Sequence, residues 1–216
     1  MRGPETENAH LRRLNSGFYQ EFMAGKGLDI GYRGSLPDAV PVTPDAVGIE
    51  LDFPGYDGKT LPFPDASQDF VCASHCLEHI RDYWTALREW FRVLRDGGFL
   101  IVAVPHQFLY EKRTRVPSRF NADHKRFYTP ASLLREVERS LKANTYRVRL
   151  LRDCDFGYDY TVSPDSHSRG EYQIELAIQK ITPAKWELDD DRSVFRKGTL
   201  IERIWRRGTA LLRDTL

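Results

Sequence analysis

Two stretches of the 216-residue chain carry residue types and spacings that could hold a nucleoside-containing ligand. Residues 28–34, LDIGYRG, read as a buried strand running into a turn punctuated by Gly31 and Gly34. A residue without a Cβ lets the backbone take φ > 0 or lie against a ligand. About twenty positions on, AVGIELD (46–52) reads as a second strand closing on Glu50, a carboxylate able to accept from both hydroxyls of a ribose. A glycine turn alone is weak evidence; the acid at this distance strengthens it. Candidate proton carriers are six histidines, a side chain whose ordinary pKa suits general base chemistry near neutrality.

The elements that must position these groups follow from periodicity. Leu11, Leu14, Phe18, Phe22 and Met23 recur at helical spacing and predict a helix over about 8–25, able to act as a lid or to cover a sheet edge. Residues 69–74 read as a short buried strand and Tyr83–Arg95 as a helix with Ala86, Leu87, Trp90, Phe91 and Leu94 on one face. Asp96, Gly97 and Gly98 end that helix, and FLIVAVP (99–105) is an unbroken apolar run typical of a central parallel strand. Thr129 caps a further helix with Pro130 at its first position, and strands are expected over 146–151 and 172–180. Strands alternating with helices predict an α/β fold with a doubly wound, mostly parallel sheet. In such sheets ligands sit beyond the carboxyl ends of the strands. That rule gathers Gly31–Gly34, Glu50, Ser74, His75 and His106 around one crevice.

Composition bounds the alternatives. Apolar residues make up 41% of the chain and the net charge is +1, so bulk charge favours no nucleic-acid partner. Residues 192–216 nevertheless hold seven Lys/Arg against Glu202 and Asp214, which marks a basic C-terminal appendage. Leu200, Ile201, Ile204, Trp205 and Leu211 predict an amphipathic helix there, for packing, homodimer formation or peripheral membrane contact. The domain boundary is placed at 182, with a main domain over 1–182 and the tail over 183–216. Cys72, Cys76 and Cys154 form no CxxC pair, fitting free thiols in a reducing compartment. Cys72 and Cys76 could share a metal with His75 and His79, but Cys72 sits in an apolar strand and reads as a core residue, so no metal is expected. No apolar run approaches the roughly 18 residues a membrane span needs, and the expected location is the cytoplasm.

Residues 61–106, LPFPDASQDFVCASHCLEHIRDYWTALREWFRVLRDGGFLIVAVPH, closely resemble the core of class I S-adenosylmethionine-dependent methyltransferases of the type 11 group. The similarity runs from Leu28 to about Lys180 in order and spacing. It implies a Rossmann-like, seven-stranded, mostly parallel sheet with an antiparallel last strand, and S-adenosylmethionine as methyl donor. Carried over position by position, it places Asp29, Gly31, Tyr32 and Gly34 in the first cofactor motif. Glu50, with Leu51 beside it, falls on the ribose-binding acid. Asp57, followed by Gly58, falls on the acid that meets the adenine amino group, and Ser74 and His75 lie beside the methionine part. One departure stands out. Arg33 occupies the position of the middle glycine, so the turn is either rerouted or uses Arg33 to meet the cofactor carboxylate.

Residues 116–130 and 163–178 further resemble bacterial methyltransferases of surface-polysaccharide and glycan biosynthesis. The acceptor this implies is a hydroxyl of a sugar, sugar nucleotide or glycan intermediate. Methyl transfer from a sulfonium needs alignment of donor and acceptor and, for a hydroxyl, removal of a proton. His106, His75 and His124 are the candidate bases, whereas His79 reads as a structural, hydrogen-bonded histidine. The basic, aromatic loop 106–129 supplies Arg113, Arg119, Lys125, Arg126 and Tyr128 as candidate substrate contacts, guanidinium groups being suited to phosphate oxygens. Base stacking on its aromatics is the disfavoured reading. The alternative function is a catalytically inactive methyltransferase-fold partner protein, for which Arg33 is the sequence hint.

Overall fold

The structure, a computed structural model, describes residues 4–34, 36 and 39–184. Among these, six strands form one sheet in the order β2-β1-β3-β4-β6-β5. β1 (Gly27–Ile30), β2 (Ala46–Ile49), β3 (Gln68–Ser74) and β4 (Leu94–Pro105) run parallel. β6 (Gln173–Lys180) enters antiparallel between β4 and β5 (Tyr146–Cys154). The expected seven-stranded sheet thus has six strands among the described residues. The segment between β2 and β3 forms none, since Pro54, Pro62 and Pro64 remove ladder donors and Gly55 and Gly58 both take positive φ.

The double winding is also incomplete. Within the described parts of the β1–β2 and β2–β3 connections there is no helix. α3 (Tyr83–Arg92) and α4 (Pro130–Ser140) pack on one face, where Leu87, Trp90, Leu133 and Val137 meet Leu28, Val71, Leu100, Val102 and Leu176. On the other face Phe18 and Phe22 cover Phe70, Cys72, Ile101 and Ala177. Alternate residues of β3 and β4 thereby feed the two cores, as the pleat requires.

Several boundaries moved. The helix expected over 8–25 is two, α1 (Pro4–Asn15) and α2 (Phe18–Phe22), divided at Gly17, whose φ is +72°. α3 stops at Arg92 and β4 begins at Leu94, so the glycine corner lies inside the strand as an irregularity in its register with β3. A Cβ on Gly98 would stand 2.8 Å from the Asp69 carbonyl oxygen, which is why the corner takes glycine. α4 begins as expected, with Thr129 and Ser132 forming a reciprocal capping box behind Pro130. The expected C-terminal helix lies outside the described residues.

Candidate active site

The crevice at the carboxyl ends of β1 and β3 is a cleft of about 400 Å³, within the 300–1,000 Å³ range typical of small-molecule sites. Its floor comes from the sheet: Asp29 in β1 with Gly31 and Tyr32 after it, Ser74 ending β3 with His75 after it, and Pro105 at the end of β4. Gly31 sits at φ +75°, and a Cβ there would press on the Cys76 side chain at 3.2 Å, so the turn needs glycine twice over. Arg33 also adopts a left-handed φ, +61°, and donates its backbone N–H to Glu50 Oε1 at 2.5 Å. The turn therefore keeps a glycine-like conformation at this position despite the side chain. Arg33 lines the cleft, and its charge reaches Tyr110 and Tyr172.

α1 forms the roof and ties itself to the sheet through buried charge. Arg13 Nε donates to Glu175 Oε1 at 2.6 Å, and Arg12 pairs with both Glu171 and Glu175. Arg152 reaches Glu175 from β5. Burial opposes ionisation of Glu175, but Arg13 and Arg12 outweigh it and hold the carboxyl at about 2. Arg13 Nη2 is buried without a hydrogen-bond partner, and Arg13 lines the cleft. Glu5, from the same helix, stands 3.5 Å from His75 Nε2, which also meets Gln173 Oε1 at 3.0 Å. Burial works against a charged His75; Glu5, with Glu78 behind it, prevails and raises the imidazole to about 9. His75 is thus a cation at neutral pH, poorly suited to taking a proton.

The far wall comes from the 106–129 loop. Lys125 N donates to the Glu78 carbonyl at 2.8 Å and Arg126 Nη1 to that of Leu77 at 3.3 Å, which stitches the loop to the 3-10 turn Leu77–His79. The stitch brings His124 beside His79, ring centroids 4.9 Å apart, with Glu78 between them and Asn121 nearby in the lining. His124 is buried and its Nδ1 pairs with Glu111 Oε1 at 2.5 Å. Tyr110 and Tyr172 add an aromatic wall, ring centroids 5.0 Å apart.

The sequence-predicted residues divide cleanly. Asp29, Gly31, Tyr32, Ser74, His75 and His124 line the cleft. Gly34, Glu50, Leu51, Asp57 and Gly58 are not among its lining residues. Gly34 is close-packed by the Tyr32 phenol, and the Asp57 carboxylate accepts from the Lys59 and Thr60 N–H groups. His106 is also outside: its Nδ1 accepts from the N–H groups of Phe108 and Leu109, capping the π-helical turn Gln107–Glu111. Burial lowers its pKa against the pull of Asp153. None of the five proposed substrate contacts lines the cleft. Arg126 bonds the Arg81 carbonyl and stacks on Tyr83, Tyr128 donates to Glu136, Arg119 pairs with Asp165, Lys125 with Asp123, and Arg113 bonds the Pro117 carbonyl. The residues that sequence reasoning missed are Glu5, Arg13, Glu78, Tyr110 and Tyr172.

Residues 42–102 match a family model described as a methyltransferase domain. A "probable S-adenosylmethionine-dependent methyltransferase" of Mycolicibacterium smegmatis is 36% identical over 78 residues, 36% of this chain and 30% of that one. The 27-O-demethylrifamycin SV methyltransferase of Amycolatopsis mediterranei is 46% identical over 55 residues, 23% and 20% of the two chains. The demethylmenaquinone methyltransferase of Thermus thermophilus is 41% identical over 58 residues, 27% and 26%. The matched segments span less than a third of these relatives' length. A solved S-adenosylmethionine-dependent methyltransferase of Archaeoglobus fulgidus shares the fold with a TM-score of 0.51 at 16% identity, covering 82% of this chain and 95% of the other. The [4+2]-cyclase SpnF shares it at 0.52 and 16% identity, with 79% and 80% covered. These likenesses establish a Rossmann-like methyltransferase fold, and the homologues' names agree with a methyltransferase enzyme whose implied cofactor is S-adenosylmethionine. No helix among the described residues is long and apolar enough to cross a membrane.

Proposed function

We propose that the chain is an S-adenosylmethionine-dependent methyltransferase acting on a small-molecule acceptor. The observation that carries the reading is Arg13 Nη2, a buried guanidinium nitrogen without a partner beside the cleft at the ends of β1 and β3. A carboxylate completes it, and an amino acid moiety supplies one. Asp29 and the Gly31 turn lie close by for the ammonium group. Glu50 is assigned to the ribose through the oxygen not engaged by Arg33, and Asp57 to the adenine. Arg13, Asp29 and the Gly31 turn, which line the cleft, support the amino acid end of the cofactor, whereas the Glu50 and Asp57 assignments lie outside that lining and rest on the sequence resemblance. When bound, S-adenosylmethionine supplies a methyl group already activated on a sulfonium.

The acceptor is assigned to the wall formed by Tyr110, Asn121, His124 and Tyr172. His124, held by Glu111, is the histidine assigned to the acceptor oxygen, since His75 is already charged and both backbone bonds of the π-turn occupy His106 Nδ1. Aromatic faces at Tyr110 and Tyr172 suit the C–H-rich face of a ring, which supports a sugar or glycan hydroxyl as acceptor.

Calorimetry with S-adenosylmethionine tests the core of this reading. Binding that weakens in Glu50→Ala is expected. No binding, with Glu50→Ala indistinguishable from the parent, overturns it and leaves the inactive-partner reading. Incubation with radiolabelled methyl donor and a panel of sugars, sugar nucleotides, phenols and quinols then tests the acceptor class; transfer only to the last two removes the glycan assignment.

A further inference from the structure

At the acceptor end of the cleft three side chains converge with no donor between them. His79 Nδ1 meets Asp123 Oδ2 at 2.8 Å and His124 Nδ1 meets Glu111 Oε1 at 2.5 Å. An ionised carboxylate only accepts, so each imidazole donates from Nδ1 and turns Nε2, the nitrogen available to a metal ion, away from that contact. Those two Nε2 atoms face Glu78 Oε1 at 3.8 and 4.0 Å. Glu78 is 1% exposed, and neither of its carboxylate oxygens has a hydrogen-bond partner. His75 Nδ1 stands 3.8 Å from the same Oε1, so one imidazole already faces this buried carboxylate with a positive charge, yet neither Glu78 oxygen is hydrogen-bonded, and an unpaired buried acceptor costs free energy.

We propose that Glu78, His79 and His124 bind a divalent first-row transition ion, with open coordination positions turned to the cleft for an oxygen of the acceptor. The three ligand atoms lie within 4.8 Å of one another. Nitrogen and oxygen ligands about 2.1 Å from such an ion stand about 3.4 Å apart in a tetrahedral site, so the two His–Glu gaps of 3.8 and 4.0 Å close by about 0.4–0.6 Å and the two nitrogens, at most 4.8 Å apart, by up to about 1.4 Å, through side-chain rotation. Two histidines and one carboxylate make a three-ligand set of the kind that leaves positions free for substrate. The outer contacts match as well: Asp123 and Glu111 hold the ligating rings by their remote nitrogens, as carboxylates do behind metal-bound histidines. Sequence reasoning looked for a metal among Cys72, Cys76, His75 and His79. The real convergence needs His124, brought across from 45 residues downstream of His79 by the bonds of Lys125 and Arg126 to the 3-10 turn.

The role in acceptor binding rests on the methyltransferase reading, while the site itself does not. Chelator-treated full-length protein, freed of chelator, is titrated with Zn²⁺ by calorimetry and with Co²⁺ by visible absorption. One equivalent of either ion, with a d–d spectrum for Co²⁺, is expected. Glu78→Gln, His79→Ala and His124→Ala each lower affinity more than 100-fold, and Asp123→Asn and Glu111→Gln about 10–100-fold. Circular dichroism confirms that each variant is folded; a ligand variant that does not fold is replaced by Glu78→Asp or by the two outer-contact variants. Absence of stoichiometric binding in the parent protein, or binding unmoved by the folded variants, overturns the site and leaves a proton shared within the cluster. S-adenosylmethionine titrated in parallel separates failure of the metal site from failure of the methyltransferase reading.

Discussion

Arg13 holds Glu175 through Nε and keeps Nη2 buried without a hydrogen-bond partner, the nitrogen proposed above for the cofactor carboxylate. Arg13→Lys keeps a charge for Glu175 but loses the fork. Hydrogen bonds to charged groups contribute about 1.5–3 kcal/mol, so the dissociation constant for S-adenosylmethionine is expected to rise tenfold or more by calorimetry. A comparison of His124→Ala with His106→Ala belongs to the same scale. The first is expected to slow transfer to the acceptor about 10²–10⁴-fold with cofactor affinity retained, the second to act on stability, read from initial rates and thermal melts. His75 was legible in the sequence because it follows a strand end, and His124 because it sits in a long basic loop beside Asp123 and Lys125. Arg13, Glu5 and Glu78 were not. On helical periodicity a charged residue reads as a solvated face, and only Glu175 and His75 across the sheet make those positions interior.

The elements owe their arrangement to a few polar staples. Within the methyltransferase-like stretch 61–106, Arg92 of RVL (92–94) reaches back to LPFPD (61–65), donating to the carbonyls of Leu61 and Phe63 and to Asp65, while Glu89 accepts from Leu61 N. Two motifs that look like separate signatures in the sequence are thus halves of one contact, holding an extended, proline-bound segment against α3. The seventh strand that the resemblance implies has no counterpart among the described residues, and this segment, fastened by side chains, forms no ladder. For α1 the staple is Glu175. Glu175→Ala strands Arg13 without its buried counter-charge and is expected to cost about 3–5 kcal/mol in urea unfolding at pH 7. The depressed carboxyl adds a sign: its contribution is complete above the ordinary 4.5 and fades as pH falls toward 2. The stability gap between the parent protein and Glu175→Gln should therefore narrow through that window. Thr129→Ala, which removes the cap of α4, is expected to cost about 1 kcal/mol, or roughly 2–4 °C in melting temperature.

Across the whole molecule, sheet, roof and loop meet at one crevice, and a ligand there binds all three. Saturating cofactor at 100 times its dissociation constant is expected to stabilise the fold by about 2.7 kcal/mol in chemical denaturation. Hydrogen exchange should slow in α1 and in the 106–129 loop together; protection confined to the β1 turn would show that the roof is independent of the site. The parallel strands and their crevice were legible because unbroken apolar runs between turn signals leave few alternatives. The roof was less so, because α1 closes the crevice through ion pairs to β6, 159–163 residues away in sequence, and no local pattern carries that distance. Loop 106–129, read as a phosphate-binding stretch, spends Lys125 and Arg126 on shaping the wall and Arg119 on pairing with the 155–171 loop.

Arg12 and Arg13 are fastened to Glu171 and Glu175, so under the proposed function release of the demethylated cofactor is expected to wait on the parting of those ion pairs. Time courses with acceptor should then show a rapid first turnover of one methyl per chain followed by a slower steady rate. Glu171→Gln, which loosens the roof while leaving Glu175 in place, should raise the steady rate and spare the burst.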